Sequence, residues 1–240
     1  MHLRLSCFRC AAGFLEKAVT VEIEDNGVYK LTCDAGHQSV HHLGNPKFEI
    51  LFEMGLLAFS DGYTREAVAT FAAAAEEFLR VFVNFVLAKH RFDRNPKWYE
   101  LKPFWKLISR SEPQLGAFAA VYMIEKGSAP PYPDTASIEF RNKVIHRGYI
   151  PKAAEVASYG GKLLSFVVPL YRECKSSSAM LFATSYELVQ ELQTNSEPMN
   201  ASSFYPSAIR RLLDSSDAPS FGAAVEIART QTFLEAVPEM

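Results

Sequence analysis

No stretch of this sequence reaches the roughly 18 consecutive apolar residues needed to span a bilayer, so a membrane helix is not expected. The start, Met1 to Leu15, lacks a continuous apolar core and carries two cysteines, which argues against a signal peptide and for a cytoplasmic protein. Cysteine is scarce, with 4 in 240 residues. In a reducing compartment so few thiols point to metal or thiol chemistry and exclude a disulfide framework. Tryptophan is rarer still, and no internal repeat is present. Charge of neither sign dominates, since the formal net charge is −2. What is abundant is apolar material: hydrophobic residues make up 48% and charged residues 22%, which excludes disorder of the whole chain. The 18 phenylalanines alone provide ample material for a core.

The small net charge hides a split. Between Arg80 and Arg110 lie Lys89, Arg91, Arg94, Lys97, Lys102 and Lys106, opposed only by Asp93 and Glu100. After Lys175 the bases are Arg210, Arg211 and Arg229, against Glu187, Glu191, Glu197, Asp214, Asp217, Glu226, Glu235 and Glu239. A basic middle suits a polyanionic partner; the plainer reading is a solvated helix face balanced by an acidic tail.

Periodicity divides the chain at about residue 44. Before it, Ala18 to Glu24 alternates and places Val19, Val21 and Ile23 on one face. Asp25-Asn26-Gly27 signals a hairpin turn, with Val28 to Thr32 returning. From Asn45 the apolar spacing becomes helical. Pro46 suits a first helical turn, and Phe48, Leu51, Phe52, Gly55, Leu56 and Phe59 form a stripe. After Asp61-Gly62, Thr64 can cap a second helix running to about Lys89. Further helices are expected at Trp98–Ile108 and Leu115–Ile124, separated by Glu112-Pro113. Another should follow a cap at Asp134 or Thr135 and end near Arg147, with Gly148 as its C-terminal glycine. Pro151 opens the next, to about Cys174. The tail allows helices at Ala179–Leu192, Pro206–Leu213 and Ala223–Ala236. The expected organisation is a β module over 1–44, a helical domain over 45–175 and an acidic helical extension over 176–240.

Two short turns carry soft ligands: Cys7-Phe8-Arg9-Cys10 and Cys33-Asp34-Ala35-Gly36-His37. Zinc takes four sulfur or nitrogen ligands in a tetrahedron, and two tight turns joined by a hairpin supply them. A module of 44 residues buries little core unaided, so a structural metal also answers a stability need. His41 and His42 are alternatives to His37 as fourth ligand. The plain alternative is a strand module with buried free thiols, and a redox Cys-x-x-Cys is disfavoured because no βαβ pattern surrounds it. The segment resembles a zinc ribbon in which histidine replaces the fourth cysteine. That resemblance implies a structural Zn2+ held by Cys7, Cys10, Cys33 and His37, with no open coordination position.

The second constellation is Arg141-Asn142-Lys143-Val144-Ile145-His146. On a helix Asn142 and His146 share a face, and Arg141 sits about 100° to the side. A neutral imidazole takes a proton from a ribose 2′-hydroxyl near pH 7, a guanidinium holds phosphate oxygens, and an amide positions both. Bare Arg-x4-His also arises from a solvated arginine and a histidine favouring a helix C-terminus. Arginine, then a polar residue, then histidine four to six positions on is the pattern of HEPN ribonucleases, and residues 45–175 resemble that family. The long helices before Arg141, Gly148 and the helix after Pro151 are similar to its layout. The resemblance implies a helical bundle, a homodimer with two motif helices at one composite site, and metal-independent RNA cleavage. Arg141, Asn142 and His146 are then the catalytic set, and family members are often toxins or antiviral effectors, with a regulatory protein partner possible in principle.

Flanking residues read more plainly. Arg147 and Lys143 suit neighbouring phosphates or solvent equally, Tyr149 suits packing better than base stacking, and Trp98 and Trp105 suit the core. The competing function is a non-catalytic module that binds RNA, a nucleotide or a protein. A metalloenzyme at the Cys/His site would need an open metal position and a nearby general base, and the sequence offers neither clearly.

Overall fold

The computed structural model describes residues 2–7, 10, 18–91, 101–177, 179, 180, 183, 201–203, 207–215, 218–231 and 234–235. The protein is mainly helical with a small antiparallel β region at its N-terminus. No helix among the described residues is long and apolar enough to cross a membrane.

The β region holds β1 (His2–Ser6), β2 (Ala18–Glu22), β3 (Val28–Thr32) and β4 (Gln38–Leu43). Asp25-Asn26-Gly27 does turn the chain: Gly27 adopts φ +64°, and Asn26 Oδ1 accepts from the Val28 N–H at 2.9 Å. The strands it joins nevertheless enter different sheets, so the expected β2–β3 hairpin is corrected. β2 pairs with β1, and β3 with β4, both antiparallel. The reason is burial. Leu3 and Leu5 from one hairpin meet Tyr29, Leu31 and Leu43 from the other, with Val19, Val21 and Ile23 at the margin. Stacking two hairpins buries both apolar faces, which one flat hairpin leaves wet. Ile50, Met54 and Leu57 of the first helix close this small core from below.

The bundle comprises α1 (Lys47–Ser60), α2 (Thr64–Arg91), α3 (Leu101–Leu107), α4 (Ser111–Lys126), α5 (Thr135–Arg147) and α6 (Ala153–Cys174). Its centre is an aromatic relay. Phe78 of α2 meets Phe48 of α1 edge-on at 5.2 Å and Phe166 of α6 at 5.9 Å. Phe118 of α4 continues it to Phe82 and Phe166. Edge-to-face contacts of this kind add about 0.5–1.5 kcal/mol beyond the area they bury. Gly55 permits the close α1–α2 crossing, since a Cβ there would stand 2.6 Å from the Phe71 ring. Pro113 lies within α4 instead of ahead of it. The first helical turn has no use for its N–H, so proline is tolerated there.

The C-terminal segment is woven into both parts. Helices α7 (Ala208–Asp214) and α8 (Phe221–Gln231) contribute Ile209, Leu212, Leu213, Ala224 and Ala228 to the bundle core. β5 (Ala201–Ser203) pairs parallel to β4, and β6 (Leu234–Glu235) antiparallel to β1. The helix expected over 223–236 therefore ends at Gln231 and gives way to a strand. The helix expected over 179–192 falls almost wholly outside the described residues. Gly160 of α6 makes room for α8, because a Cβ there would meet the Phe221 ring at 2.3 Å.

Candidate functional site

The ligand residues sit at the ends of the paired strands, and the second pair lies on a turn. Cys7 and Cys10 follow β1, and Cys33 to His37 links β3 to β4. That turn is shaped by its own backbone. Gly36 adopts φ +75° and donates to the Cys33 carbonyl at 2.7 Å, while the Cys33 N–H donates to the His37 carbonyl at 3.1 Å.

Stacking the hairpins brings Cys7, Cys10, Cys33 and His37 together, with all four ligand atoms within 4.8 Å of one another. His37 Nδ1 lies 3.8 Å from Cys7 Sγ, 3.4 Å from Cys10 Sγ and 3.7 Å from Cys33 Sγ, and Cys10 and Cys33 sulfurs are 3.7 Å apart. A tetrahedral ion with bonds of about 2.3 Å to sulfur and about 2.0 Å to nitrogen sets its ligands roughly 3.5–3.8 Å apart. The four residues therefore fit a metal ion. Burial, then the neighbouring thiols, pushes Cys10 up to about 11. Burial also raises Cys33, but hydrogen bonds from the His37 and Ala35 backbone N–H groups, with the other thiols, outweigh it and bring Cys33 to about 6. One thiolate is thus favoured at neutral pH even before a cation arrives.

His41 and His42 lie on β4 away from this cluster. Both are buried, and His41 Nε2 is 3.0 Å from Ser39 Oγ. Burial lowers both imidazoles, and for His41 the neighbouring His42 adds to it.

Arg141, Asn142 and His146 lie on α5. Asp134 caps the start of that helix by accepting from the Ser137 N–H at 2.7 Å, and Gly148 ends it at φ +68°. Val144 is the buried anchor, while His146 is exposed and Asn142 half-buried. Arg141 is the residue held from both sides. Its Nη2 donates to Glu76 Oε1 of α2 at 2.7 Å, and its Nη1 donates to Asn142 Oδ1 at 3.1 Å. Those bonds occupy two of five guanidinium N–H groups, and no other partner stands among the described residues. The arrangement can present a fixed cation and, five positions on along the same helix, an exposed imidazole. Glu76 had no signal in the sequence, being one acid among several on a helix 65 residues away.

Beside Arg141 a cleft of about 760 Å³, open mouth included, runs between α2, the start of α4, α5 and α6. Its lining includes Glu76, Gln114, Tyr132, Ser137, Asn142 and Tyr159. Of these, sequence reading singled out Asn142 alone.

The flanking side chains are largely occupied. The Lys143 ammonium sits 3.4 Å over the Tyr149 ring, and the Tyr149 hydroxyl donates to Glu155 at 2.9 Å, a packing role as expected. Trp105 packs at the core margin with its Nε1 donating to Asn84 Oδ1 at 3.1 Å. In the basic middle, Arg80 pairs with Glu77 at 2.6 Å, and Lys89 pairs with Glu125. Lys106 and Arg110 are exposed, whereas Arg94, Lys97 and Trp98 lie outside the described residues.

Comparison with protein-family models, with curated proteins and with solved structures finds no match to this chain.

Proposed function

We propose that this chain is a metal-independent endoribonuclease of the HEPN type, acting as a homodimer and carrying a structural zinc ion. One observation carries the reading: Arg141 is braced by Glu76 and Asn142 with three N–H groups to spare, and His146 stands open to solvent one helical turn from Asn142.

In the proposed reaction, His146 removes the proton from a ribose 2′-hydroxyl. The freed oxygen bonds to the adjacent phosphorus, and the bond from phosphorus to the 5′-oxygen breaks. That oxygen takes a proton from the imidazolium of the second copy. The products end in a 2′,3′-cyclic phosphate and a 5′-hydroxyl. Arg141 offsets the charge that builds on the phosphoryl oxygens, and Asn142 holds Arg141 and phosphate in register. A second copy meeting α5 supports the division between base and acid. Ile138 on α5 and Ile150 just beyond it are both exposed and flank the motif.

Zinc is the ion whose preferences suit three cysteines and a histidine in a closed tetrahedron. With four protein ligands it has no position for substrate, so its role here is to hold the two hairpins together.

The rival reading is a non-catalytic RNA- or nucleotide-binding module in which the Arg141–Glu76 pair only braces α5 on α2. Cleavage decides between them. Purified protein is mixed with cellular RNA beside His146→Ala, with and without EDTA, and product ends are analysed. Cutting that resists EDTA, leaves cyclic phosphate ends and disappears in a folded His146→Ala protein is expected. A folded, zinc-loaded dimer that binds RNA without cutting it would favour the module.

A further inference from the structure

The cleft beside Arg141 is not needed to hold a phosphate, yet it opens directly onto the motif. Its walls are apolar where Ala72, Ala75, Leu79, Leu115 and Ile138 line it. Tyr132 and Tyr159 are the buried aromatics of the lining, 4% and 5% exposed. About 150 Å³ of the cleft is open to a water-sized sphere, less than the roughly 300–1,000 Å³ of drug-sized ligand sites, so the occupant is small. Among the polar groups of the lining Glu76 and Glu112 only accept, Arg141 only donates, and the Gln114 and Asn142 amides and the hydroxyls can do either. Glu76 gives Oε1 to Arg141 but has Oε2 without a partner among the described residues. Glu112 is a second carboxylate at the exposed rim.

We propose that this cleft binds a guanine base, and that the bound nucleotide is the one whose 2′-hydroxyl attacks. A carboxylate selects among bases by what it can accept. Guanine presents adjacent ring N–H and amino donors, one for the open Oε2 of Glu76 and one for the second lone pair of the Oε1 that Arg141 already engages. Adenine and cytosine place a ring acceptor beside the amino group, and a carboxylate repels it. Uracil presents a single N–H between two carbonyls. Aromatic and apolar walls suit any base, so Glu76 supplies the discrimination. Position agrees as well. The cleft touches Ser137, Ile138, Arg141 and Asn142, and of these Asn142 stands one turn of about 5.4 Å before His146. Base and 2′-hydroxyl hang from neighbouring ribose carbons, so a base in the cleft leaves its hydroxyl near the imidazole. This step rests on the proposed nuclease for the phosphate's place, but the base selectivity stands on the cleft itself.

The test uses the full, zinc-loaded chain and the four nucleoside 3′-monophosphates, titrated calorimetrically against wild type, His146→Ala, Glu76→Gln and Gln114→Trp. Guanosine 3′-monophosphate is expected to bind at least about tenfold tighter than the other three, the scale of a charge-assisted hydrogen bond. That preference is expected to persist in His146→Ala, to vanish in Glu76→Gln, and to give way to weak binding of all four in Gln114→Trp, which fills the mouth. Equal affinities, preference for another base, or a guanine preference that survives Glu76→Gln in a folded protein would overturn the proposal. RNA cleavage read in parallel separates the two claims. Cutting with no bias toward guanosine ends and no selective binding sinks the base site and leaves the nuclease. Selective guanosine binding without cutting sinks the nuclease and leaves the site.

Discussion

The Arg141 guanidinium reaches Glu76 Oε1 at 2.7 Å and so ties α5 to α2 across 65 residues of chain. With side chains 25% and 43% exposed, the pair is well solvated, and its worth to stability is within about 1 kcal/mol. Its larger effect is on orientation. Glu76→Ala is expected to move the unfolding midpoint little, while lowering kcat/KM for RNA cleavage at least about tenfold. Glu76→Asp should recover part of the rate. Steady-state kinetics beside urea denaturation checks this, and an equal loss of stability and rate would reduce Glu76 to a brace.

The metal cluster predicts which histidine matters. Elemental analysis of the purified chain should find about one zinc per chain, falling below roughly a tenth in Cys33→Ser and His37→Ala. His37→Cys should retain the ion, because a fourth thiolate suits the same tetrahedron. His41→Ala and His42→Ala should also retain it, since both imidazoles lie on β4 outside the cluster. Zinc lost from His41→Ala or His42→Ala but kept in His37→Ala would reassign the fourth ligand.

Glu49 is the keystone of the C-terminal docking. Its carboxylate is fully buried and accepts from Asn45 Nδ2 at 2.8 Å, Ser207 Oγ at 2.9 Å and Arg210 Nε at 2.8 Å. Burial still pushes its pKa above the usual carboxylate value despite Arg210. Removing it strands several buried or half-buried donors. Glu49→Ala is expected to cost about 3 kcal/mol in urea denaturation, and Arg210→Ala less, because the arginine is 30% exposed. Indistinguishable midpoints for wild type and Glu49→Ala would refute the docking role.

Asp134 gives an acid-limb prediction. The Ser137 hydroxyl nearby, though outside bonding geometry, acts first, followed by Lys162 and the Ser137 N–H, and together they hold the Asp134 carboxyl at about 2. A folded-state value below the ordinary 3.8 means stabilisation that is present above pH 3.8 and lost as pH falls toward 2. Asp134→Ala should cost about 1 kcal/mol at pH 7, the usual worth of a helix N-cap. Asp134→Asn keeps a capping oxygen and should cost less at pH 7 while flattening the decline between pH 4 and 2. Thermal melts across that range measure both.

Much of this protein is local and was therefore readable from its amino acids. The helical stripe from Phe48 to Phe59, the Asp134 cap, the Gly148 stop and the ligand turn from Cys33 to His37 are each decided by residues within a few positions. Short-range sterics and hydrogen bonds select those conformations whatever lies elsewhere. The tertiary structure decided the rest. Val19 to Ile23 had the alternation of a strand, but its partner, β1 in place of β3, followed from which stacking buries both apolar faces. The acidic tail looked separable by charge, yet Ile209, Leu213 and Ala228 belong to the bundle core, and Gly160 is small where Phe221 arrives. Glu76 and Glu49 carry no mark in the sequence to set them apart from other helical acids. Their partners lie 65 and 161 residues away, and only packing the core brings each pair within reach of a hydrogen bond.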